Sequence, residues 1–204
     1  MFVPGAHAAI ICGATSCGKT EFMLNLLKKE RSFFKYIIII CPTLKWNETY
    51  HAHKWLWNDE NIFLIDDVEK FGGLDRCLKI QYETIGMMDK SPVLFIIDDC
   101  AGMNDIKTKN KMLTKLAFSG RHLNCSVWIL TQKYNSILTD FRVQIKWMAL
   151  FYCKDRDSFE SALRENDVIP SQDERNKMRN LLANHEYSKL LLIMQQPTSY
   201  KFIR

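Results

Sequence analysis

The amino-acid sequence predicts an α/β protein with a mainly parallel central sheet and helices on both of its faces. Short continuous apolar runs, such as YIIIIC at 36–41, alternate along the chain with stretches of helical character. Strands that are apolar on both faces are typical of parallel sheets buried under helices. No internal repeat or Gly/Ser/Pro-rich linker interrupts the alternation, so the sequence predicts a single domain over residues 1–204.

The apolar runs mark the expected strands in chain order. They are AHAAIIC (6–12), KYIIIIC (35–41), NIFLI (61–65), PVLFIID (92–98), CSVWILT (125–131), IKWMALFY (145–152) and KLLLIM (189–194). Short runs rich in β-branched and aromatic residues favour strands over helices. The tail SYKFIR at 199–204 is a candidate for a final edge strand.

The segments between these runs predict the helices. The expected helical segments are about 18–30, the region after NIFLI as far as about residue 88, and the stretches near 105–118, 157–165 and 171–184. The segment HAHKWLW (51–57) has two histidines with no further His or Cys grouped nearby, which disfavours a metal site. Packing, a subunit contact and a DNA contact all stay open for it. NHEY (184–187) is expected to be a helix end.

The composition places the chain among globular proteins. The apolar fraction is 47% and the charged fraction 25%. No apolar run approaches the roughly 20 residues that a membrane helix needs, and no secretory-signal pattern is present, so we expect no membrane span. The seven cysteines form no CxxC pair, so we expect reduced thiols in a reducing compartment and not a disulfide or zinc framework.

The positive charge is concentrated in the second half of the chain. Residues 1–100 carry 11 basic and 13 acidic side chains, whereas residues 101–204 carry 17 and 10. A polyanion facing the second half would explain this asymmetry, and so would a solvated face of lysines. The densest basic segment is 105–122, and both explanations apply to it. Its basic residues are Lys107, Lys109, Lys111, Lys115 and Arg121.

The segment GATSCGKT at 13–20 matches the phosphate-loop pattern G-x-x-x-x-G-K-[ST] at every fixed position. It follows an apolar strand and opens a helical run, as that motif requires. Gly13 and Gly18 let the backbone curl so that its N–H groups point at phosphate oxygens, Lys19 reaches the β- and γ-phosphates, and the Thr20 hydroxyl binds Mg²⁺. We therefore expect ATP on this loop. The expected nucleotide-binding residues are Gly13, Ala14, Thr15, Ser16, Cys17, Gly18, Lys19, Thr20 and Glu21.

The strand VLFIIDD at 93–99 ends in two carboxylates. Buried carboxylates are costly unless they meet a cation, and beside a phosphate loop the natural cation is Mg²⁺. Asp98 is the expected metal ligand, and Asp99 would face the γ-phosphate and polarise the attacking water. An Asp that caps a helix or turn is the alternative at each position. An acid beside the metal-binding Asp is typical of hydrolases that use ATP as fuel, although Asp is shorter than the more usual Glu.

The three segments GATSCGKT, VLFIIDD and SGRHLNCSVWILTQ (119–132) together resemble the FtsK/HerA superfamily of DNA-pumping ATPases. The resemblance is greatest to its virus branch, the poxvirus A32-like genome-packaging ATPases, which the IIIICPT segment (37–43) also fits. It covers roughly residues 6–152. It implies an additional-strand sheet in which the strand after the acidic one lies between that strand and the phosphate-loop strand. Gln132, at the end of the inserted strand, would then contact the γ-phosphate or the lytic water; a simple strand cap is the alternative.

The resemblance also implies a homo-oligomeric ring, a pentamer or hexamer, in which a neighbour's arginine completes the catalytic site. The candidates are Arg121, then Arg142 and Arg156, and for each a surface role is as compatible with the sequence. The implied function is ATP-driven packaging of double-stranded DNA into a viral capsid, with capsid or portal-vertex proteins as partners. The implied location is the virion or the host-cell cytoplasm, in a viral factory. A P-loop small-molecule kinase and an ATP-gated assembly protein with little turnover are the alternatives.

Overall fold

The computed structural model of the chain describes residues 3–86, 91–100 and 111–204. Eight strands of this part form one sheet. They are β1 (Ala8–Cys12), β2 (Tyr36–Ile40), β3 (Ile62–Ile65), β4 (Val93–Ile97), β5 (Cys125–Thr131), β6 (Ile145–Phe151), β7 (Lys189–Ile193) and β8 (Ser199–Ile203). Every strand predicted from an apolar run is present, and the tail forms the expected edge strand.

The helices lie between the strands. They are α1 (Lys19–Glu30), α2 (Glu48–Ala52), α3 (Trp55–Asn58), α4 (Leu74–Gln81), α5 (Lys111–Ser119), α6 (Thr139–Arg142), α7 (Arg156–Asn166) and α8 (Gln172–Asn184). A π-helical turn, Tyr82–Gly86, extends α4. The helices expected near 157–165 and 171–184 are confirmed as α7 and α8. The expectations for residues 87–88 and 105–110, including Lys107 and Lys109, lie outside the described residues.

The strand order is β3-β2-β4-β5-β1-β6-β7-β8. The strands from β3 to β6 pair in parallel, whereas β7 is antiparallel to β6 and β8 to β7. The mainly parallel sheet is therefore confirmed. The insertion of β5 between β4 and β1 is also confirmed. Because parallel strands end at one edge, the ends of β1, β4 and β5 lie side by side there.

Each central strand is buried on both faces, which explains its continuous apolar sequence. In β1, Ile10 and Cys12 face one half of the core, whereas Ala9 and Ile11 face the other. All five residues of β1 and of β4 are buried. Alternate side chains of a strand point to opposite faces, so no period-2 polar pattern survives when helices cover both.

His7, just before β1, ties that strand to β5. The Trp128 indole Nε1 donates to His7 Nε2 over 3.0 Å, and the His7 Nδ1 donates to the Gly5 carbonyl oxygen over 2.8 Å. The His7 backbone N–H also donates to Ser126 Oγ over 3.1 Å. The imidazole lies beside the rings of Trp128 and Trp147. These bonds require a neutral imidazole, and burial lowers the pKa of His7.

Candidate active site

The segment 13–20 connects the end of β1 to the start of α1. The Gly13 N–H donates to the Thr131 carbonyl over 3.1 Å, and the Ala14 N–H donates to the Tyr152 carbonyl over 2.9 Å. The loop thus begins clamped between the ends of β5 and β6. A Cβ on Gly13 would lie 2.5 Å from Cβ of Phe151, so only glycine fits there.

The second half of the loop turns into α1. Gly18 has a left-handed φ of 89°, a conformation that glycine adopts without steric cost. Lys19 Nζ donates to the carbonyl oxygens of Gly13 (2.9 Å) and Ala14 (2.7 Å), so its ammonium group lies across the loop. The loop therefore presents a cation beside the N-terminus of α1, the combination that favours bound phosphate.

Asp98 follows β4 and is only 5% exposed. Its Oδ2 accepts hydrogen bonds from the Thr20 hydroxyl (3.1 Å) and the Tyr50 hydroxyl (2.9 Å). Burial raises the pKa of Asp98, and these two hydrogen bonds oppose that shift. The carboxylate and the Thr20 hydroxyl are hard oxygen donors lying together beneath the phosphate loop, and this donor set fits Mg²⁺.

Asp99, the next residue, is exposed to the cleft and has a left-handed φ of 54°. Its Oδ2 accepts a hydrogen bond from the Thr43 hydroxyl over 2.8 Å. Thr43 is the threonine of the CPT segment that follows β2. The left-handed backbone at Asp99 ends the extended conformation of the strand. The hydrogen bond from Thr43 holds the Asp99 carboxylate at the cleft.

Gln132 follows β5, and its side chain is exposed to the same cleft. The strand end is capped by Thr131, whose hydroxyl donates to the Lys133 carbonyl over 3.0 Å and accepts from the Lys133 N–H over 3.2 Å. Within the described part of the chain, no hydrogen bond involves the Gln132 side chain. The capping role therefore belongs to Thr131, and the Gln132 amide faces the cleft.

These residues surround one cleft of about 550 Å³ at the carboxyl edge of the sheet. Its lining includes Thr15, Ser16, Gly18, Lys19, Thr20, Glu21, Asn47, Thr49, Asp98, Asp99, Thr131, Gln132 and Tyr187. The structure thus brings together the phosphate loop, both strand-end aspartates and Gln132. Their assignment to catalysis, to ATP and to Mg²⁺ stays a prediction.

Sequence reasoning did not find Tyr50, Thr43 or Tyr187 as site residues. Tyr50 lies on α2 within the aromatic stretch, and its hydroxyl reaches Asp98 across 48 residues of sequence. In the same stretch, His53 Nε2 lies 3.0 Å from Oε2 of Glu21, and His51 stacks on Trp57. The stretch therefore packs beside α1, the packing role that the sequence left open. The only signal for it was its aromatic content.

The three candidate arginines do not line the cleft. Arg121 is exposed in a 3-10 turn that precedes β5, at the opposite edge of the sheet, and its Nε donates to His122. Arg142 is paired with both carboxylate oxygens of Glu165 and lies over the Tyr134 ring. Arg156 is exposed at the start of α7, on the side where β6 ends. A role at a neighbour's site stays a prediction for all three.

A phosphate loop after a central parallel strand, with a polar-ended strand inserted beside the acidic strand, defines an additional-strand P-loop NTPase fold. The family described as "Poxvirus A32 protein" matches residues 6–199, and the chain belongs to this family. The predicted resemblance is thereby confirmed.

A monkeypox virus relative, the DNA packaging protein OPG160, is 22% identical over 190 residues. The match covers 91% of this chain and 60% of the relative, so the chain spans less than two thirds of that protein's length. The crystal structure of B204, the DNA-packaging ATPase of Sulfolobus turreted icosahedral virus, superposes with a TM-score of 0.72 at 16% identity, covering 99% of this chain and 98% of B204. B204 of Sulfolobus turreted icosahedral virus 2 in complex with ATP-γS gives 0.65 at 16%, covering 98% and 97%. These structures share the fold.

Proposed function

We propose that this chain is an ATP-driven double-stranded DNA translocase that packages a viral genome into a capsid. The observation that carries the proposal is the convergence of Lys19, Thr20, Asp98, Asp99 and Gln132 on one cleft. Binding of phosphate needs only the loop. The second acid and the strand-end amide are what hydrolysis of the terminal phosphate needs in addition.

The names of the relatives support the same conclusion. The monkeypox virus relative is named a DNA packaging protein, and B204 is described as a DNA-packaging ATPase and has been solved with ATP-γS bound. Family membership extends over nearly the whole chain, which also supports a single ATPase domain over 1–204.

The chain's own groups divide the chemistry between them. The backbone N–H groups of the loop and Lys19 Nζ bind the phosphate oxygens. Thr20 and Asp98 would hold Mg²⁺, which neutralises charge on the β- and γ-phosphates when bound. Asp99 Oδ accepts a proton from the attacking water, while Thr43 keeps that carboxylate in place. The Gln132 amide donates to the γ-phosphate without adding negative charge there.

The remaining parts of the proposal concern assembly and partners. We propose a homo-oligomeric ring of five or six subunits in which Arg121 of one subunit reaches the cleft of the next. A basic surface that includes Lys111 and Lys115 on α5 would follow the DNA phosphates. Capsid or portal-vertex proteins would anchor the ring, in the virion or in a cytoplasmic viral factory. Among the described residues, no helix is long and apolar enough to cross a bilayer.

The test compares steady-state ATP hydrolysis with and without double-stranded DNA for the wild type, Asp99→Asn and Lys19→Ala. We expect DNA to stimulate the wild type, and Asp99→Asn to lower kcat about a hundredfold while ATP still binds. Lys19→Ala should lose ATP binding itself. In a further reaction a nucleoside monophosphate is added, to measure whether the protein transfers the terminal phosphate of ATP to this acceptor.

Two outcomes would contradict the proposal. Phosphate transfer to the monophosphate without DNA stimulation would identify a small-molecule kinase. ATP binding with negligible turnover, unchanged by DNA and by Asp99→Asn, would identify an ATP-gated assembly protein.

A further inference from the structure

A second groove of about 410 Å³ adjoins the phosphate cleft, between α1, the end of β6 and the start of β7. Gly18, Glu21 and Tyr187 line both cavities, so the two adjoin each other at the N-terminus of α1. The groove is therefore next to any phosphate group that is bound on the loop.

The walls of this groove are aromatic. Phe22, in the first turn of α1, and Phe151, at the end of β6, meet edge to face with their ring centroids 5.8 Å apart. Both rings line the groove. A concave surface of aromatic rings with polar groups at defined positions is the usual environment of the base in a nucleotide site.

Tyr187 stands where the groove meets the phosphate cleft. Its side chain is 61% exposed, and its backbone has a left-handed φ of 58°. A Cβ placed on Gly18 would lie 3.1 Å from Cδ1 of Tyr187, so this ring packs directly against the phosphate loop. An aromatic ring held there by a strained backbone, and still exposed, offers a stacking surface to a ligand.

Lys189 supplies a cationic group to the groove, whose lining also includes the polar side chains of Glu21 and Asn25. Its Nζ lies 5.5 Å from the ring centroids of both Phe22 and Phe151, and it donates to the Tyr187 carbonyl over 3.2 Å. Burial lowers the pKa of Lys189. An ammonium group above apolar rings has further N–H donors to offer, and the ring nitrogens and carbonyl oxygens of nucleobases are matching acceptors.

We propose that this groove is the nucleoside subsite: the base of the bound nucleotide lies against Tyr187 and the two phenylalanines, and Lys189 Nζ donates to an acceptor on the base edge. This inference rests on the proposed function only in placing the triphosphate on residues 13–20. It goes beyond the phosphate-loop motif, which specifies no base contact.

The test measures binding of ATP and of inorganic tripolyphosphate, which has the phosphates but no nucleoside. For the wild type we expect ATP to bind at least about tenfold tighter than tripolyphosphate. Tyr187→Ala should weaken ATP about tenfold and leave tripolyphosphate unchanged, and Tyr187→Phe should behave as the wild type. Tyr200→Ala, an exposed tyrosine on β8, is the matched control and should change neither affinity.

Equal wild-type affinity for ATP and tripolyphosphate, or a Tyr187→Ala variant that weakens both ligands equally, would overturn the subsite. Equal affinity in the wild type overturns the subsite without any variant, and Lys189→Gln locates the base if Tyr187→Ala does not fold. Lys189→Gln should additionally alter the ratio of affinities for ATP and GTP. If the wild type binds neither ligand, the proposed function fails; if it binds both and Lys19→Ala binds neither, only the subsite is at stake.

Discussion

The hydroxyl of Tyr50 is fully buried and donates to the same oxygen of Asp98 that Thr20 contacts. A hydrogen bond to a buried carboxylate fixes its orientation and offsets the cost of removing its charge from water. Tyr50 thus acts as a positioning residue for Asp98, the expected magnesium ligand. In the sequence it is adjacent to neither the phosphate-loop motif nor the acidic motif.

Replacing Tyr50 by Phe should remove that donor while keeping the ring in the core. We expect the free energy of unfolding to fall by about 2 kcal/mol, since the carboxylate loses one of its two side-chain donors. We also expect the Mg²⁺ concentration for half-maximal ATPase activity to rise several-fold. Denaturant unfolding and magnesium titration measure the two effects.

Tyr134→Phe is the matched control, because Tyr134 is equally buried and its hydroxyl accepts a hydrogen bond from Asn166 and not from a site residue. It should lose stability without a change in magnesium requirement. If the magnesium requirement of Tyr50→Phe were unchanged, Tyr50 would contribute to core packing and not to the position of Asp98.

A second prediction for a single residue concerns Gln132. Because Thr131 caps β5, Gln132→Ala should leave the free energy of unfolding nearly unchanged. Loss of a donor to the developing charge on the γ-phosphate should lower kcat about a hundredfold with ATP affinity retained. Gln144→Ala, before β6 at the opposite edge of the sheet, is the control. A destabilised variant with normal kcat per folded molecule would restore the strand-cap interpretation.

At the level of elements, the continuous apolar runs identified the strands β1 to β7, and the tail was a candidate for the edge strand β8. The reason is physical: β1, β4 and β5 are buried on both faces, so their composition alone distinguishes them from helices. The stretch 48–57 was harder, because α2 and α3 have five and four residues and are stabilised by packing beside α1. Helices that short carry too few turns for a hydrophobic period to show.

The hydrogen bond between His7, just before β1, and Trp128 in β5 depends on pH. His7 accepts from Trp128 only while it is neutral, and burial lowers its pKa below the usual 6.5 although the nearby Glu30 acts in the opposite direction. As the pH falls through 6.5, the unfolded chain therefore binds the proton before the folded protein does. Stability must decrease in that window and be fully present above it.

We predict that the free energy of unfolding of the wild type falls between pH 7.5 and pH 5, beyond the effect of its carboxylates. His7→Gln should be less stable at pH 7.5 and show a flatter dependence over the same range. Denaturant unfolding at several pH values measures both slopes. His51→Gln, on the surface, should keep the wild-type slope, and an equally steep His7→Gln would contradict the assignment.

At the level of the whole molecule, the resemblance implied the place of β5 between β4 and β1, and short motifs identified the residues at the ends of these strands. The hydrogen bond of Thr43 with Asp99 joins residues 56 positions apart, and that of Tyr50 with Asp98 joins residues 48 positions apart. No short sequence motif could predict contacts at such separations. Tyr187 belongs to NHEY, which was expected only to end a helix. Helix α8 does end at Asn184, but Tyr187 also lines the cleft because β7 pairs back onto β6.

The proposed ring assembly concerns the whole molecule. Variants of Arg121 test it. The residue lies at the edge of the sheet opposite its own cleft, so a catalytic role for it would require a second subunit. Arg121→Ala and Asp99→Asn should each lack DNA-stimulated ATPase activity, and mixing them should restore part of it, because some interfaces then pair a normal arginine with a normal cleft. Mixtures as inactive as their components would exclude Arg121 from this role.

The central claim is that hydrolysis at the cleft moves the protein along DNA. A duplex carrying a third strand bound as a triplex measures this directly, because a translocating motor displaces that strand. We predict displacement by the wild type with ATP, none with ATP-γS, and none by Asp99→Asn with ATP. A wild-type protein that hydrolyses ATP on this DNA and leaves the third strand in place would contradict the account.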